Sequence, residues 1–116
     1  MYLSESLSLA ALELFVHLGE DATRLAFVYF DVEIPPALTI QTLSRKPKGW
    51  RNEPPTIASM RIGDTWLDAG ESALLKVPSA IIPTESNFIL NPLHPAHAKL
   101  RIGKPRAFHF DTRMWK

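Results

Sequence analysis

Residues 72–95, SALLKVPSAIIPTESNFILNPLHP, decide how the rest of the chain is read. Pro78, Pro83, Pro92 and Pro95 each fix a backbone φ and remove an amide donor, so the path of this stretch is tightly constrained. Leu74, Leu75 and Val77 read as a strand that Pro78 must end, because a proline cannot donate to a sheet ladder. Ser79 is therefore expected at a strand terminus. Residues 80–82 read as a resumed extended path stopped by Pro83, Thr84-Glu85-Ser86 as a turn, and residues 87–90 as a second strand. Two apolar segments joined by a polar turn predict a hairpin. Asn91 and His94, each preceding a proline, are driven toward extended geometry, and the chain turns sharply there.

Working outward, 116 residues of which 46% are hydrophobic suit one domain spanning residues 1–116 around one core. The absence of cysteine excludes disulfides, thiolate metal sites and cysteine nucleophiles, and agrees with a reducing compartment; the cytoplasm is the expected location. The N-terminus lacks the basic region of a secretory signal, and Glu13 and His17 interrupt its apolar stretch, so neither export nor membrane spanning is expected. Thirteen Lys and Arg against 12 Asp and Glu give a net charge of +1, too small for a surface-wide nucleic-acid footprint. Ten prolines favour a loop-rich mixed fold over a helical bundle.

Before the central stretch, Ser4 or Ser6 can cap a helix that runs to about Leu18, with Gly19 as a left-handed C-terminal residue. Leu7, Ala11, Leu14 and Leu18 recur at helical spacing, and Leu9, Leu12, Phe15 and Val16 widen the apolar stripe, which predicts a deeply buried helix. Ser6, Glu13, His17 and Glu20 occupy its one narrow polar face. That face is either the solvated side of an amphipathic helix or the wall of a cleft in which a rigid helix holds Glu13 partly desolvated.

Residues 23–34 alternate in the period-two pattern of one long strand ended by Pro35-Pro36, and residues 37–43 add a short extended or helical piece. Arg45-Lys46-Pro47-Lys48-Gly49-Trp50 is a basic loop closed by an aromatic, which reads as a solvated loop anchored by Trp50, although Arg and Lys also suit a pyrophosphate. Pro54 or Pro55 can start a second helix running to about Asp68, with Gly70 after its end. One helical turn over 95–99 and two strands, 100–102 and 106–110, joined by a Gly103-Lys104-Pro105 turn, complete the reading, with Phe108 and Phe110 as core.

No GxGxxG, Walker loop or GxSxG is present, so the marks of the dinucleotide-binding fold, P-loop chemistry and the hydrolase elbow are missing. His94 and His97 are spaced H-x-x-H, but neither an HExxH helix nor an obvious third ligand accompanies them, and no metal site is expected.

The run VPSAIIP followed by NFILNPLHP resembles the signature of the RES domain family, named for an arginine, a glutamate and a serine. The serine matches Ser79, the segment MYLSESLSLAALELFVHL resembles the family's tyrosine-to-glutamate block with Tyr2 and Glu13 as its ends, and GDTWLDAG and FDTRMW also fit. In the family the arginine lies in an RWN-like segment ahead of the tyrosine, so this sequence is expected to lack the N-terminal strand region.

The resemblance implies an α+β domain similar to ADP-ribosyltransferases, with a mostly antiparallel β core and two main helices. It further implies a toxin that consumes NAD as substrate, with no resident cofactor, by splitting the nicotinamide–ribose bond, and an Xre-type helix-turn-helix antitoxin that neutralises it. Glu13, Ser79 and Tyr2 would then be catalytic, and Tyr2, Ser79 and Asn91 would contact the dinucleotide. Glu13 is expected to stabilise positive charge on the ribose and Tyr2 to stack on nicotinamide, and Glu13 and Ser79 are expected to converge on a single pocket large enough for a dinucleotide. The alternative is an inactive remnant that acts only by binding another protein. The acceptor of the ADP-ribose and the formation of a homo-oligomer stay open.

Overall fold

The computed structural model describes residues 2–43 and 45–115. Its centre is the predicted hairpin. Strand β5 (Leu74–Pro78) pairs antiparallel with β6 (Ser86–Leu90), from Leu74 opposite Leu90 to Pro78 opposite Ser86. On the far side of β6 lies β1 (Tyr2–Ser4), antiparallel, and on the far side of β5 lies β4 (Ile40–Thr42), parallel, so the sheet runs β1-β6-β5-β4. Leu74 and Leu90 are almost completely buried, while Lys76 between the strand ends stays exposed. With two helices and a sheet dominated by antiparallel pairs, the architecture is α+β, as the sequence predicts.

The hairpin connection departs from the expected path. Residues 80–82 bend instead of extending. The Ser79 hydroxyl accepts hydrogen bonds from the amides of Ile81 and Ile82, each at 3.1 Å, and curls the chain back on itself. The Ser79 amide then closes the loop on the Glu85 carbonyl at 2.8 Å.

Helix α1 (Leu7–Leu18) starts where Ser6 accepts the Leu9 amide at 3.1 Å and ends at Gly19, whose φ of 56° a side chain would strain. Ser4, the other candidate cap, belongs to β1. The expectation of deep burial is corrected: Leu9 alone is fully buried, and Leu7 and Val16 are 41% and 62% exposed. The rings of Phe110 and Trp115 pack against Phe15 of α1. Helix α2 (Ile57–Ala69) begins after the prolines at Thr56, whose hydroxyl accepts the Ser59 amide at 3.2 Å, and ends on the left-handed Gly70. Trp66 is its one buried residue, and its indole N–H donates to Ser72 at 2.9 Å.

The long strand read over 23–34 does not form. A 3₁₀ segment (Gly19–Arg24) takes its beginning, with the Thr23 hydroxyl bonded to the Glu20 carbonyl, and the remainder splits into β2 (Phe27–Tyr29) and β3 (Val32–Glu33). The two strands near the C-terminus, β7 (Arg101–Ile102) and β8 (Arg106–Phe108), do not pair with each other either: β2 pairs with β8 and β3 with β7, making one interrupted antiparallel ribbon. Phe27 lies opposite Phe108 but Val32 opposite Ile102, so the register slips by one residue at the break. Gly103, Lys104 and Pro105 hold the extra residue, and Pro105 has no amide to continue the ladder. Phe110, just past β8, carries the ribbon's share of the core, with Phe15, Phe27 and Phe108 at ring distances of 5.0 to 5.7 Å.

Candidate active site

Register places Tyr2, Ile89, Leu75 and Gln41 side by side across the four strands. Side chains alternate along a strand, so Ser4, Asn87 and Val77, two residues along and also mutually paired, share that sheet face. Helix α1 meets this face at its Asn87 end through Glu13.

There the Glu13 carboxylate meets two donors on one oxygen. Its Oε1 accepts the Ser79 hydroxyl at 2.7 Å and the Asn87 amide Nδ2 at 2.7 Å. Asn87 is fixed in turn by the Ser4 hydroxyl, which donates to its Oδ1 at 2.7 Å. Ser79 spends its one hydrogen on Glu13 and both lone pairs on the Ile81 and Ile82 amides, so its hydroxyl is saturated. Among the described residues no hydrogen bond reaches the second carboxylate oxygen, Oε2. The cluster thus holds a half-buried carboxylate by one oxygen and leaves the other able to face a ligand.

Tyr2 shares the neighbourhood. Its pKa is raised above the ordinary 10.0, first by partial burial and second by the negative charge of Glu13, so the phenol is neutral near pH 7. The residue as a whole keeps 67% of its surface exposed, so one side of it is open to solvent.

The structure therefore brings Tyr2, Glu13 and Ser79 together from β1, α1 and the end of β5. Asn91 is elsewhere. It lies four residues beyond Asn87, about 13 Å along an extended chain, and is only 2% exposed. Its Oδ1 accepts the Leu93 amide at 3.0 Å and its own amide donates to Ala73. These bonds fix the turn into Pro92. His94 is likewise engaged locally, its Nδ1 accepting the Ala96 amide.

Asn87 is the member of the cluster that sequence reasoning passed over, having read it as the first residue of a strand. Its signal was chemical: asparagine is depleted in strands, and one that opens an apolar strand and is buried there needs a partner for its amide. A broadly open concavity of about 460 Å³ is lined by β4, α2 and Leu75 and does not include Glu13, Ser79 or Tyr2. Leu75 and Tyr2 nevertheless flank Ile89 on one sheet face, about 10 Å apart across two strand spacings.

Residues 1–111 match the RES domain. The chain belongs to the RES domain family. Two curated relatives are both named Toxin Res: one from Yersinia enterocolitica, 38% identical over 98% of this chain and 76% of its own length, and one from Photorhabdus laumondii, 36% identical over 100% and 76%. A third, from a Sphingobium strain, is named Prs ADP-ribosylating toxin and is 34% identical over 98% of this chain and 73% of its own. Ser79 and Glu13, the two residues matched above to the serine and glutamate of the family name by resemblance, are hydrogen-bonded to each other. Among the described residues no helix is long and apolar enough to cross a membrane.

Proposed function

We propose that this chain is a RES-type toxin that consumes NAD by breaking the bond between nicotinamide and ribose, and that an Xre-type helix-turn-helix antitoxin neutralises it. The observation that carries the reading is the Glu13 carboxylate, anchored by Oε1 to Ser79 and Asn87 with Oε2 unbonded, beside the neutral Tyr2 phenol. Loss of nicotinamide as a neutral leaving group puts oxocarbenium character on the ribose. A carboxylate already fixed in position stabilises that charge, or the ribose hydroxyl beside it, without reorganising during the reaction. The pyridine ring gains little from a polar contact but much from an aromatic face, which the exposed Tyr2 ring offers. Ser79 and Asn87 act on Glu13: their two hydrogen bonds to Oε1 fix its orientation.

The sheet face running from Tyr2 across Ile89 to Leu75 gives an extended dinucleotide a floor that ends in the open concavity beside α2. The relatives' names, two toxins and one ADP-ribosylating toxin, fit a reaction that starts from NAD and passes the ADP-ribose to an acceptor.

Free nicotinamide measured after incubating the protein with NAD tests the reading. Wild type is expected to release it, and Glu13→Gln, which keeps both donors' partner atom but loses the charge, to release it roughly 10²- to 10³-fold more slowly. A folded wild type that releases none, or a Glu13→Gln variant with full turnover, overturns it.

A further inference from the structure

The basic loop is tied to the same turn that, through Ser79, holds the Glu13 carboxylate. Arg51 reaches 29 residues along the chain and donates its Nε hydrogen to the Ala80 carbonyl at 2.7 Å. Ala80 follows Ser79, one peptide unit or about 4 Å along the chain. A guanidinium is thereby stationed next to the site, on a side chain that is otherwise exposed.

The loop around it is built rather than loose. The Trp50 amide bonds the Pro47 carbonyl at 3.1 Å and the Asn52 amide bonds the Gly49 carbonyl at 2.9 Å, two successive tight turns. Gly49 sits at φ 73°, where a Cβ would come within 3.0 Å of both Asn52 and Thr56, so the turns are packed against the cap of α2. The Trp50 ring gathers the cations: Lys46 Nζ lies 4.9 Å from its centroid and the Arg51 guanidinium carbon 6.0 Å. Arg45, Lys46, Lys48 and Arg51 bring four positive charges within seven residues and no negative one. Among the described residues no carboxylate forms a salt bridge with any of them, and both Arg51 Nη nitrogens lack a hydrogen-bond partner.

We propose that Arg51, supported by Lys46 on the Trp50 ring, binds the diphosphate of a dinucleotide whose ribose lies at Glu13. The inference rests on the NAD reading above and names the group that recognises the substrate's charged centre. The free Nη edge of a guanidinium matches two phosphate oxygens at once, and its Nε bond to Ala80 has already fixed its plane, so little side-chain freedom is lost on binding. Arg51 is a binding residue, and its carbonyl bond makes the turn that carries Ser79 sensitive to its occupancy.

Titration calorimetry with ADP and with adenosine, both unable to react, tests the site. Wild type is expected to bind ADP more tightly than adenosine. Arg51→Gln is expected to weaken ADP roughly tenfold or more, the loss of one charged hydrogen-bonding group, and to leave adenosine unchanged; Arg51→Lys falls between. Equal ADP affinities for wild type and Arg51→Gln, or no preference for ADP over adenosine in wild type, overturn the proposal.

Since Arg51→Gln also removes the Ala80 bond, the guanidinium N–H resonances of unmutated protein provide a second readout. ADP and inorganic pyrophosphate are both expected to shift them, and unshifted signals at saturating ADP refute the site. The two readings fail separately. ADP binding through Arg51 without nicotinamide release from NAD removes the reaction and leaves the site. Nicotinamide release with an Arg51-independent ADP affinity removes the site and leaves the reaction.

Discussion

The four-stranded sheet and the interrupted ribbon are both held mainly by antiparallel pairs, yet only the sheet places polar side chains where they can do chemistry. In the sheet, five consecutive residue pairs of β5 and β6 keep one register, and Ser4 and Asn87, partners across β1 and β6, arrive on the same face at the same level as the end of β5. Glu13 needs only to descend from α1 to meet them. In the ribbon the register slips between two pairs of short strands, and its contribution to the interior is a single buried ring, Phe110. A continuous ladder can fix a hydrogen-bonded cluster to within tenths of an ångström, whereas a bulged one can hold an aromatic contact that tolerates rotation.

The largest effects should test whether the two regions share one core. Phe110→Ala is expected to cost about 3–5 kcal/mol and Leu74→Ala about 2–5 kcal/mol in denaturant unfolding, since each removes a large buried side chain. Comparable losses in a single cooperative transition are expected, because Phe110 packs on Phe15 of α1, the helix whose Glu13 is hydrogen-bonded to Asn87 of the sheet. A Phe110→Ala penalty below about 1 kcal/mol, no more than a surface change gives, would break the comparison by showing the ribbon to be a passive attachment.

The same contrast explains what could be read from the sequence. Prolines at 78 and 83 mark the connection between the two strands of the hairpin, and rigid residues announce themselves; the pairing of Leu74 with Leu90 follows from two apolar runs and the turn between them. Residues 23–34 alternate just as well, but alternation is a property of one strand, while the break at Phe30-Asp31 is imposed by Pro105 on the partner, more than seventy residues away. In the site, Glu13 and Ser79 were legible through the family resemblance, and Asn87 was not, because its importance arises only when β1, β6 and α1 stack.

An intermediate effect should sharpen the role of Ser79. Ser79→Ala removes the hydroxyl that donates to Glu13 and accepts two loop amides, leaving the Ile81 and Ile82 N–H groups without that acceptor. A loss of about 1–3 kcal/mol is expected from the unsatisfied groups, together with slower nicotinamide release. A variant as stable as wild type would mean that the turn holds its shape without the hydroxyl.

Tyr2 offers a smaller and more local readout. In a Tyr29→Phe background, absorbance titration should place the remaining phenol above the ordinary value of 10.0, and Glu13→Gln should lower it, because partial burial and the Glu13 charge both raise it. The folded form holds the phenol's proton more tightly than the unfolded one does. The stability linked to Tyr2 is therefore fully present below pH 10.0 and is lost as pH rises through the higher folded value. A midpoint unmoved by Glu13→Gln would separate the ring from the carboxylate and remove it from the cluster.

The least effect is expected on the outer face of the ribbon. In β2 the inward residues are Phe27 and Tyr29, and Val28 between them is 60% exposed, opposite the small side chain of Ala107. Val28→Thr keeps the β-branched shape that suits a strand and exchanges one methyl for a hydroxyl that water can satisfy, so stability should change by no more than about 0.5 kcal/mol. The buried equivalent of this exchange is costly because a hydroxyl shut away from water needs a partner. A measured penalty above about 1 kcal/mol would therefore mean that this face is covered in solution, and the ribbon would then be as much a part of the protein's interior as the sheet.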